Sequence, residues 1–146
     1  MKENRKQQVR RGFTMVELMA VLIILGLLAG VVVRSFVSQV DKAKVASTKA
    51  SLKLLQSAVN EYHMDTGQWP DESEGLYVLI EPPSDATNWP IGGYLETTEI
   101  PPDGWGNDFI YEQYPESGKA FVIKSLGADG QEGGEGFDAD LLSTDP

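Results

Sequence analysis

Acidic side chains and glycines crowd the C-terminal end of the chain in a pattern that could bind a metal ion. Residues 127–140 read GADGQEGGEGFDAD and contain five carboxylates: Asp129, Glu132, Glu135, Asp138 and Asp140. Hard oxygen ligands on a flexible loop suit Ca²⁺, which takes roughly six to eight oxygens at about 2.3–2.6 Å. The composition therefore indicates a candidate calcium site.

Two interpretations of this segment remain open on its residues alone. Its spacing is not that of an EF-hand, because Gln131 and Gly133 stand where that loop places Asp or Asn. Residues 133–138 fit the calcium repeat G-G-x-G-x-D, but that motif works by stacking tandem copies and the chain has one. Such a composition usually means a solvated acidic tail. Apolar residues such as Leu126 and Phe137 instead favour an anchored loop.

A second unusual carboxylate lies near the N-terminus. Glu17 is the one charged residue in the apolar run from Phe13 to Val33. A carboxylate inside a bilayer costs roughly 2.5–3.5 kcal/mol on insertion scales, so it needs a partner or a wet position. From burial cost alone, two interpretations stay open: a position near the interface, or pairing with a cation inside an assembly.

The composition excludes several classes of function. The 146 residues suit one domain, and the absence of Cys removes disulfides, thiolate nucleophiles and Cys-based metal sites. A single histidine, His63, makes a Ser-His-Asp hydrolase a poor fit. Residues 61–146 carry 19 acidic and 2 basic side chains, a balance of −17. This half should repel nucleic acid, so no nucleic-acid partner is expected.

The apolar run predicts a membrane helix. Thr14–Val33 comprises 20 residues, which as a helix would span roughly 30 Å, the thickness of a hydrocarbon core. Basic residues precede it and place the N-terminus in the cytoplasm, with everything after Val33 outside. A cleavable secretory signal is the alternative. A retained anchor is favoured because the run passes directly into an amphipathic helix.

The remaining residues predict a long helix and a small acidic head. One stripe at helical spacing, Thr48 to Tyr62, extends a helix over Thr14–Met64, which Gly67 and Pro70 end. We divide the chain into residues 1–12, 13–33, 34–64 and a globular head, 65–146.

The head itself shows one helical and two extended segments. Glu74–Glu81 reads as a short helix, residues 82–108 as a loop, and 108–113 with 119–125 as an antiparallel hairpin. Together with the long helix these segments indicate an α+β fold.

The start of the chain resembles a known processing signal. Gly12-Phe13-Thr14-Met15-Val16-Glu17, after a basic leader and before the apolar helix, is similar to the class III signal of type IV pilins and pseudopilins. Four further segments resemble the major pseudopilins of type II secretion systems: residues 64–79, 92–95, 102–107 and 125–140. The resemblance covers nearly the whole chain in order.

The resemblance implies a life cycle for the N-terminal segment. A prepilin peptidase would remove residues 1–12 by cutting between Gly12 and Phe13, and would methylate Phe13. Glu17 would then neutralise the Phe13 amine of a neighbouring subunit, which supplies the partner that burial requires. Subunits would leave the lipid bilayer of the bacterial inner membrane, where the head is periplasmic, and form a helical homopolymer.

The resemblance also implies the fold, the cofactor and the partners. The fold is pilin-like, with a small antiparallel sheet packed on the C-terminal half of the helix and a calcium-binding C-terminal loop. The Leu126 carbonyl, Asp129, Asp138 and Asp140 would bind calcium, although Ala139 separates two acids that are adjacent in many relatives. Minor pseudopilins and the inner-membrane secretion platform would be further partners. The subunit would catalyse nothing, and its fibre would push folded exoproteins through an outer-membrane channel.

One related function stays as an alternative. A type IV pilin for adhesion, motility or DNA uptake would share the same N-terminal signal. Such pilins commonly carry a C-terminal disulfide loop, and this chain has no Cys. The missing disulfide and the acidic loop both favour secretion.

Overall fold

The computed structural model describes residues 12–83 and 89–145, without the side chains of residues 33–35. One helix, α1, runs from Met15 to Thr66 over 52 residues. The sequence predicts this helix within two residues at its C-terminal end, because no Pro or Gly interrupts the chain between Val31 and Asp65. Of the predicted leader, residues 1–11 lie outside the described residues.

The chain divides into two compact units, one ending at Gln39 and the other beginning at Val40. In the first unit the large apolar side chains are exposed, for example Leu27 at 69% and Val31 at 71%. Over the described residues, α1 is long and apolar enough to cross a membrane, and its apolar window is not buried within the chain. The apolar surface of this unit is therefore not covered by the rest of the described chain.

The second unit buries the predicted helical stripe. Leu55 and Val59 are fully buried, and Leu52 and Tyr62 are nearly so. They pack in one cluster with side chains from the rest of the unit: Leu76, Val78, Leu79, Leu95, Phe109, Phe121 and Ile123. Because these positions recur every three or four residues on one helix face, the helix presents a continuous apolar surface to the head.

The head contains a short 3₁₀ helix and a small sheet. The 3₁₀ helix covers Gly75–Leu79, within the predicted short helix, and buries Leu76, Val78 and Leu79. Strands β1, Ile110–Gln113, and β2, Phe121–Ser125, form the predicted antiparallel hairpin, with Tyr111 opposite Ile123. Residues 82–83 and 89–108 contain no helix or strand, and residues 84–88 of this predicted loop lie outside the described residues.

A third strand completes the sheet and was not predicted. Strand β3, Leu141–Leu142, pairs antiparallel with β2 to give the order β1-β2-β3. Two hydrogen bonds then fasten Ser143 to β2, from the Ser143 N–H to the Ile123 carbonyl (2.8 Å) and from the Ile123 N–H to Ser143 Oγ (3.0 Å). Two residues are too short for an alternating pattern to be visible in the sequence. The α+β fold is confirmed.

Candidate functional site

The N-terminal candidate residues begin α1. Gly12 is exposed and Phe13 is 82% exposed. The Thr14 N–H and hydroxyl donate to Glu17 Oε2 at 2.8 and 3.0 Å, and the Glu17 N–H donates back to Thr14 Oγ1 at 3.2 Å. This reciprocal arrangement is a capping box, in which two residues satisfy the free backbone donors at a helix start.

The capping box gives Glu17 a local partner that was not predicted. Its signature, T-x-x-E before an apolar run, is present in the sequence as Thr14 to Glu17. Neither interpretation of Glu17 included a hydrogen bond to Thr14 at the start of its own helix. The hydrogen bonds fix one carboxylate oxygen, Oε2, beside Thr14, directly after the predicted processing point.

A buried carboxylate, Asp103, lies beside the start of the C-terminal loop, residues 127–140. Asp103 is 6% exposed and accepts three hydrogen bonds. Its Oδ1 accepts from the N–H groups of Trp105 (2.9 Å) and Asn107 (2.8 Å), and its Oδ2 accepts from the Ser125 hydroxyl (2.7 Å). A buried carboxylate is tolerated when both oxygens are satisfied in this way. Asp103 thereby ties the 103–107 turn to the end of β2.

The same turn is fastened to the long helix by Thr48. This side chain is fully buried, donates to the Lys44 carbonyl at 2.9 Å, and accepts the Gly104 N–H at 2.9 Å. A Cβ on Gly104 would collide with the backbone of Lys44, so the turn approaches the helix closely. Thr48 was predicted as part of the buried stripe and is buried there, and its hydroxyl in addition joins α1 to the turn.

The acidic loop closes on itself after this anchor. Asn107 Nδ2 donates to the Gly127 carbonyl at 3.0 Å, so the 103–107 turn is also bonded to the first residue of the loop. The Ala128 N–H bonds the Phe137 carbonyl (2.9 Å), and the Asp140 N–H bonds the Gly133 carbonyl (3.2 Å). Gly127 has a φ of 67°, where a Cβ would meet the Asp138 carbonyl at 2.8 Å. The segment is thus an anchored loop.

The predicted calcium ligands differ in their surroundings. Asp140 Oδ2 accepts from the Gly133 N–H at 3.2 Å, whereas Asp140 Oδ1 is buried and has no hydrogen-bond partner in residues 12–83 and 89–145. Asp129 Oδ1 accepts the Gln131 N–H at 3.1 Å, and both Asp129 and Asp138 are exposed. Leu126 is half-buried at the start of the loop.

The oxygen donors of the loop fit calcium, provided that backbone carbonyls supply part of the ligand set. In residues 12–83 and 89–145, no three His, Cys, Asp or Glu side chains are grouped closely enough to hold an ion themselves. Backbone carbonyls of the loop would have to supply the remaining oxygens, as calcium sites commonly allow. The buried, unpartnered oxygen of Asp140 is the group that a cation would satisfy.

A lysine already neutralises part of the loop. Lys124 Nζ lies 3.1 Å from Glu132 Oε1, and this hydrogen bond raises the pKa of the lysine. Glu132 is therefore paired with a lysine of strand β2. The other acids of the loop are the candidates for metal ligands.

The chain matches known families along nearly its whole length. The family described as "Type II secretion system (T2SS), protein G" matches residues 35–144, and the "Prokaryotic N-terminal methylation motif" matches residues 8–33. The chain belongs to the type II secretion system protein G family. The N-terminal match spans the predicted processing point at Gly12 and Phe13 as well as Glu17, whose individual roles stay predictions.

Relatives and a solved structure agree with this family. The chain is 40% identical to the "Type II secretion system core protein G" of Pseudomonas aeruginosa, over 97% of this chain and 98% of that one. It is 38% identical to the protein of the same name from Vibrio cholerae, over 97% and 94%. The major pseudopilin from the type 2 secretion system of enterohaemorrhagic Escherichia coli superposes with a TM-score of 0.59 at 26% identity, covering 73% of this chain and 90% of that one.

Membership of the protein G family bears on the alternatives raised by the sequence. The predicted resemblance to major pseudopilins is confirmed, and the family favours secretion over the type IV pilin alternative. Four residues of the site were not predicted as such: Thr14, Asp103, Asn107 and Ser125. Two signals were present in the sequence, the T-x-x-E pattern and an Asp before Gly-Trp-Gly-Asn, a turn-forming run.

Proposed function

We propose that this protein is the structural major subunit of a type II secretion pseudopilus and that it catalyses no reaction. The observation that carries the proposal is the exposed apolar surface of the first unit, which needs partners outside the chain. In a homopolymer of pseudopilins those partners are the helices of neighbouring subunits. The resulting fibre pushes folded exoproteins through the outer-membrane channel.

The N-terminus is processed before assembly in this proposal. A prepilin peptidase cuts after Gly12 and methylates Phe13, so that Thr14 and Glu17 lie at the start of the mature chain. The capping box holds Glu17 Oε2 with Thr14 and leaves Oε1 for the amine of a neighbouring Phe13. A charge-assisted pair of this kind compensates a carboxylate that is otherwise costly in an apolar surrounding.

The proposed topology rests on the same segments. The apolar half of α1 crosses the bacterial inner membrane, the N-terminus is cytoplasmic and the head is periplasmic. Lipid covers the helix before assembly, and minor pseudopilins and the inner-membrane secretion platform meet the subunit during assembly. The basic residues that support this orientation precede the apolar run in the sequence: Lys2, Arg5, Lys6, Arg10 and Arg11.

We also propose that the C-terminal loop binds calcium in the periplasm. Asp140 is the best supported ligand because its Oδ1 is buried without a partner. Asp129, Asp138 and the Leu126 carbonyl are the other proposed donors, and backbone carbonyls of the loop complete the set. Bound calcium would hold the loop against the sheet by charge neutralisation, a structural role.

The proposed function is tested by complementation and mass measurement. A strain lacking this chain should stop secreting its exoproteins and should recover when the full chain is returned. The recovered subunit should be 12 residues shorter and should begin with a methylated Phe13. Normal secretion without the chain, or a working subunit that keeps its leader, would contradict the proposal.

A further inference from the structure

An open groove of about 690 Å³ lies in the second unit at the C-terminal end of α1. The end of the helix, the segment after it and the end of β1 form its walls. Its lining combines aromatic rings, carboxylates and amides, among them His63, Trp69, Asp71, Glu74, Gln113 and Tyr114. The volume falls within the range of small-ligand sites, but the mixture of acids and rings is suited to a cationic group.

Stacked aromatic rings form the base of the groove. The His63 ring stacks on Trp69 with centroids 3.7 Å apart and planes within 8°, and Trp69 in turn lies 5.1 Å from Phe121 of the core. His63 Nδ1 is buried and has no hydrogen-bond partner among the described residues. Tyr114 stands at the rim, 68% exposed, with a φ of 52°. A bulky residue held in that conformation is strained, and strain of this kind collects at functional sites.

The surroundings of the groove are negative. Asp71 Oδ1 accepts the Ser73 N–H (3.0 Å) and the Ser73 hydroxyl (2.9 Å), and these bonds lower the pKa of the carboxyl. Asp71 therefore stays ionised, and Glu74 adds a second exposed carboxylate beside it.

A lysine face lies on the same helix, closer to its N-terminal end. Lys42, Lys49 and Lys53 are spaced by seven and four residues, which places them on one side of α1. Lys42 and Lys53 are exposed and make no ion pair with any part of the chain that the structure describes. The lysine face, defined by these three residues, is thus a basic surface on a subunit whose head is strongly acidic.

The lysine face cannot fill the groove of its own subunit. Lys53 and His63 are ten residues apart on one helix, or about 15 Å along its axis, beyond the reach of a lysine side chain. A second copy can bring the two surfaces together. Contacts between two different surfaces of identical subunits are heterologous, and such contacts build helical filaments.

We propose that the lysine face of one subunit docks on the groove of another subunit of the same fibre, with Lys53 entering between Asp71 and Glu74. The occupant is a second copy of this chain, and the proposal rests on the proposed self-assembly. Charge complementarity carries it, because residues 61–146, with a balance of −17, repel the same segment of a neighbouring subunit unless a basic surface lies between them. The exposed Tyr114 ring provides a surface for the lysine methylene chain.

Engineered disulfides test this contact in fibres of the full chain. The chain has no Cys, so disulfides can join only the two introduced positions, Gln68→Cys and Lys53→Cys, and the two single-Cys chains reveal any 53–53 or 68–68 bond. Gln68 is exposed and lines the groove. We expect oxidised fibres to give a ladder of dimers and higher multimers. The matched control pairs Lys53→Cys with Glu116→Cys, an exposed residue of the hairpin turn, and should give none.

A charge exchange supplies the second test. Lys53→Glu and Glu74→Lys should each reduce fibre assembly, and the double variant should restore it. Lys42→Glu, on the same face, serves as the control, because Glu74→Lys should not restore it. Fibres that form without the 53–68 ladder, or a double variant that stays defective, would overturn the docking proposal alone. Absence of fibres from the unmutated chain would contradict the proposed function as well.

Discussion

The two units of this chain treat apolar side chains in opposite ways. Before Gln39, Leu27 is 69% exposed, whereas beyond Val40, Leu55 and Val59 are fully buried. Both sets belong to the same helix and are equally apolar. The difference lies in where the covering surface comes from, because the second unit carries its own sheet and loops. The first unit depends on lipid or on other subunits.

A pair of alanine substitutions, one in each unit, measures this difference. The substitution in the second unit should give the largest change in the free energy of unfolding. Leu55→Ala should lower the free energy of unfolding of the head by about 2–5 kcal/mol, since it leaves a cavity in the core. Leu27→Ala removes the same atoms from an exposed position and should leave that free energy unchanged. Denaturant unfolding of the full chain in detergent measures both. A similar loss from the two variants would show that the units are not independent in stability.

Calcium should stabilise only the second unit, because the proposed ion site belongs to the head. It should therefore widen the difference in stability between the two units. With calcium at 100 times its dissociation constant, a ligand of the folded state adds about 2.7 kcal/mol. The melting temperature of the head should therefore fall when a chelator is added and recover with calcium.

A single oxygen-to-nitrogen change tests the loop directly. Asp140→Asn should abolish the calcium-dependent gain in melting temperature, because it removes the charge of the buried oxygen that lacks a partner. Glu116→Gln makes the same chemical change on an exposed turn and should keep the full gain. A gain that survives Asp140→Asn would remove this residue from the proposed ligand set.

The smallest expected effect is a loss of stability at high pH. Burial, followed by the charge of Asp65, raises the pKa of Tyr94 to about 12 from its usual value near 10. Since the folded pKa is the higher one, the stabilisation is complete below pH 10 and is lost as the pH rises towards 12. Tyr94→Phe should reduce this alkaline loss. Tyr77→Phe, at an exposed ring, should leave the loss unchanged.

Much of the fold could be predicted because its signals are local. The stripe from Leu52 to Tyr62, the helix stop at Gly67 and the hairpin are all visible as periodicity or turn residues. Strand β3 is not, because a two-residue strand has no pattern and depends on pairing with Lys124 and Ser125. Its position is decided by tertiary contacts.

The candidate site shows the same division. The acids of the loop can be read from the sequence, but their surroundings cannot, since Asp140 gains a buried oxygen only when the loop closes. The anchor formed by Asp103, Ser125 and Thr48 joins residues far apart in the chain. Contacts between residues so far apart in the chain produce no regular spacing in the sequence. The Thr14–Glu17 box is the exception, because its pattern is local and visible.

The central claim is that the first unit is completed by other subunits and that the charge of Glu17 takes part. Fibre assembly by the Glu17→Gln chain tests it most directly, because Gln keeps the capping hydrogen bonds and removes only the charge. Glu17→Ala, which loses both, is the matched comparison. We expect both variants to lose their leader normally and neither to form fibres or secrete. Normal fibres from Glu17→Gln would reduce Glu17 to a helix cap and contradict the account.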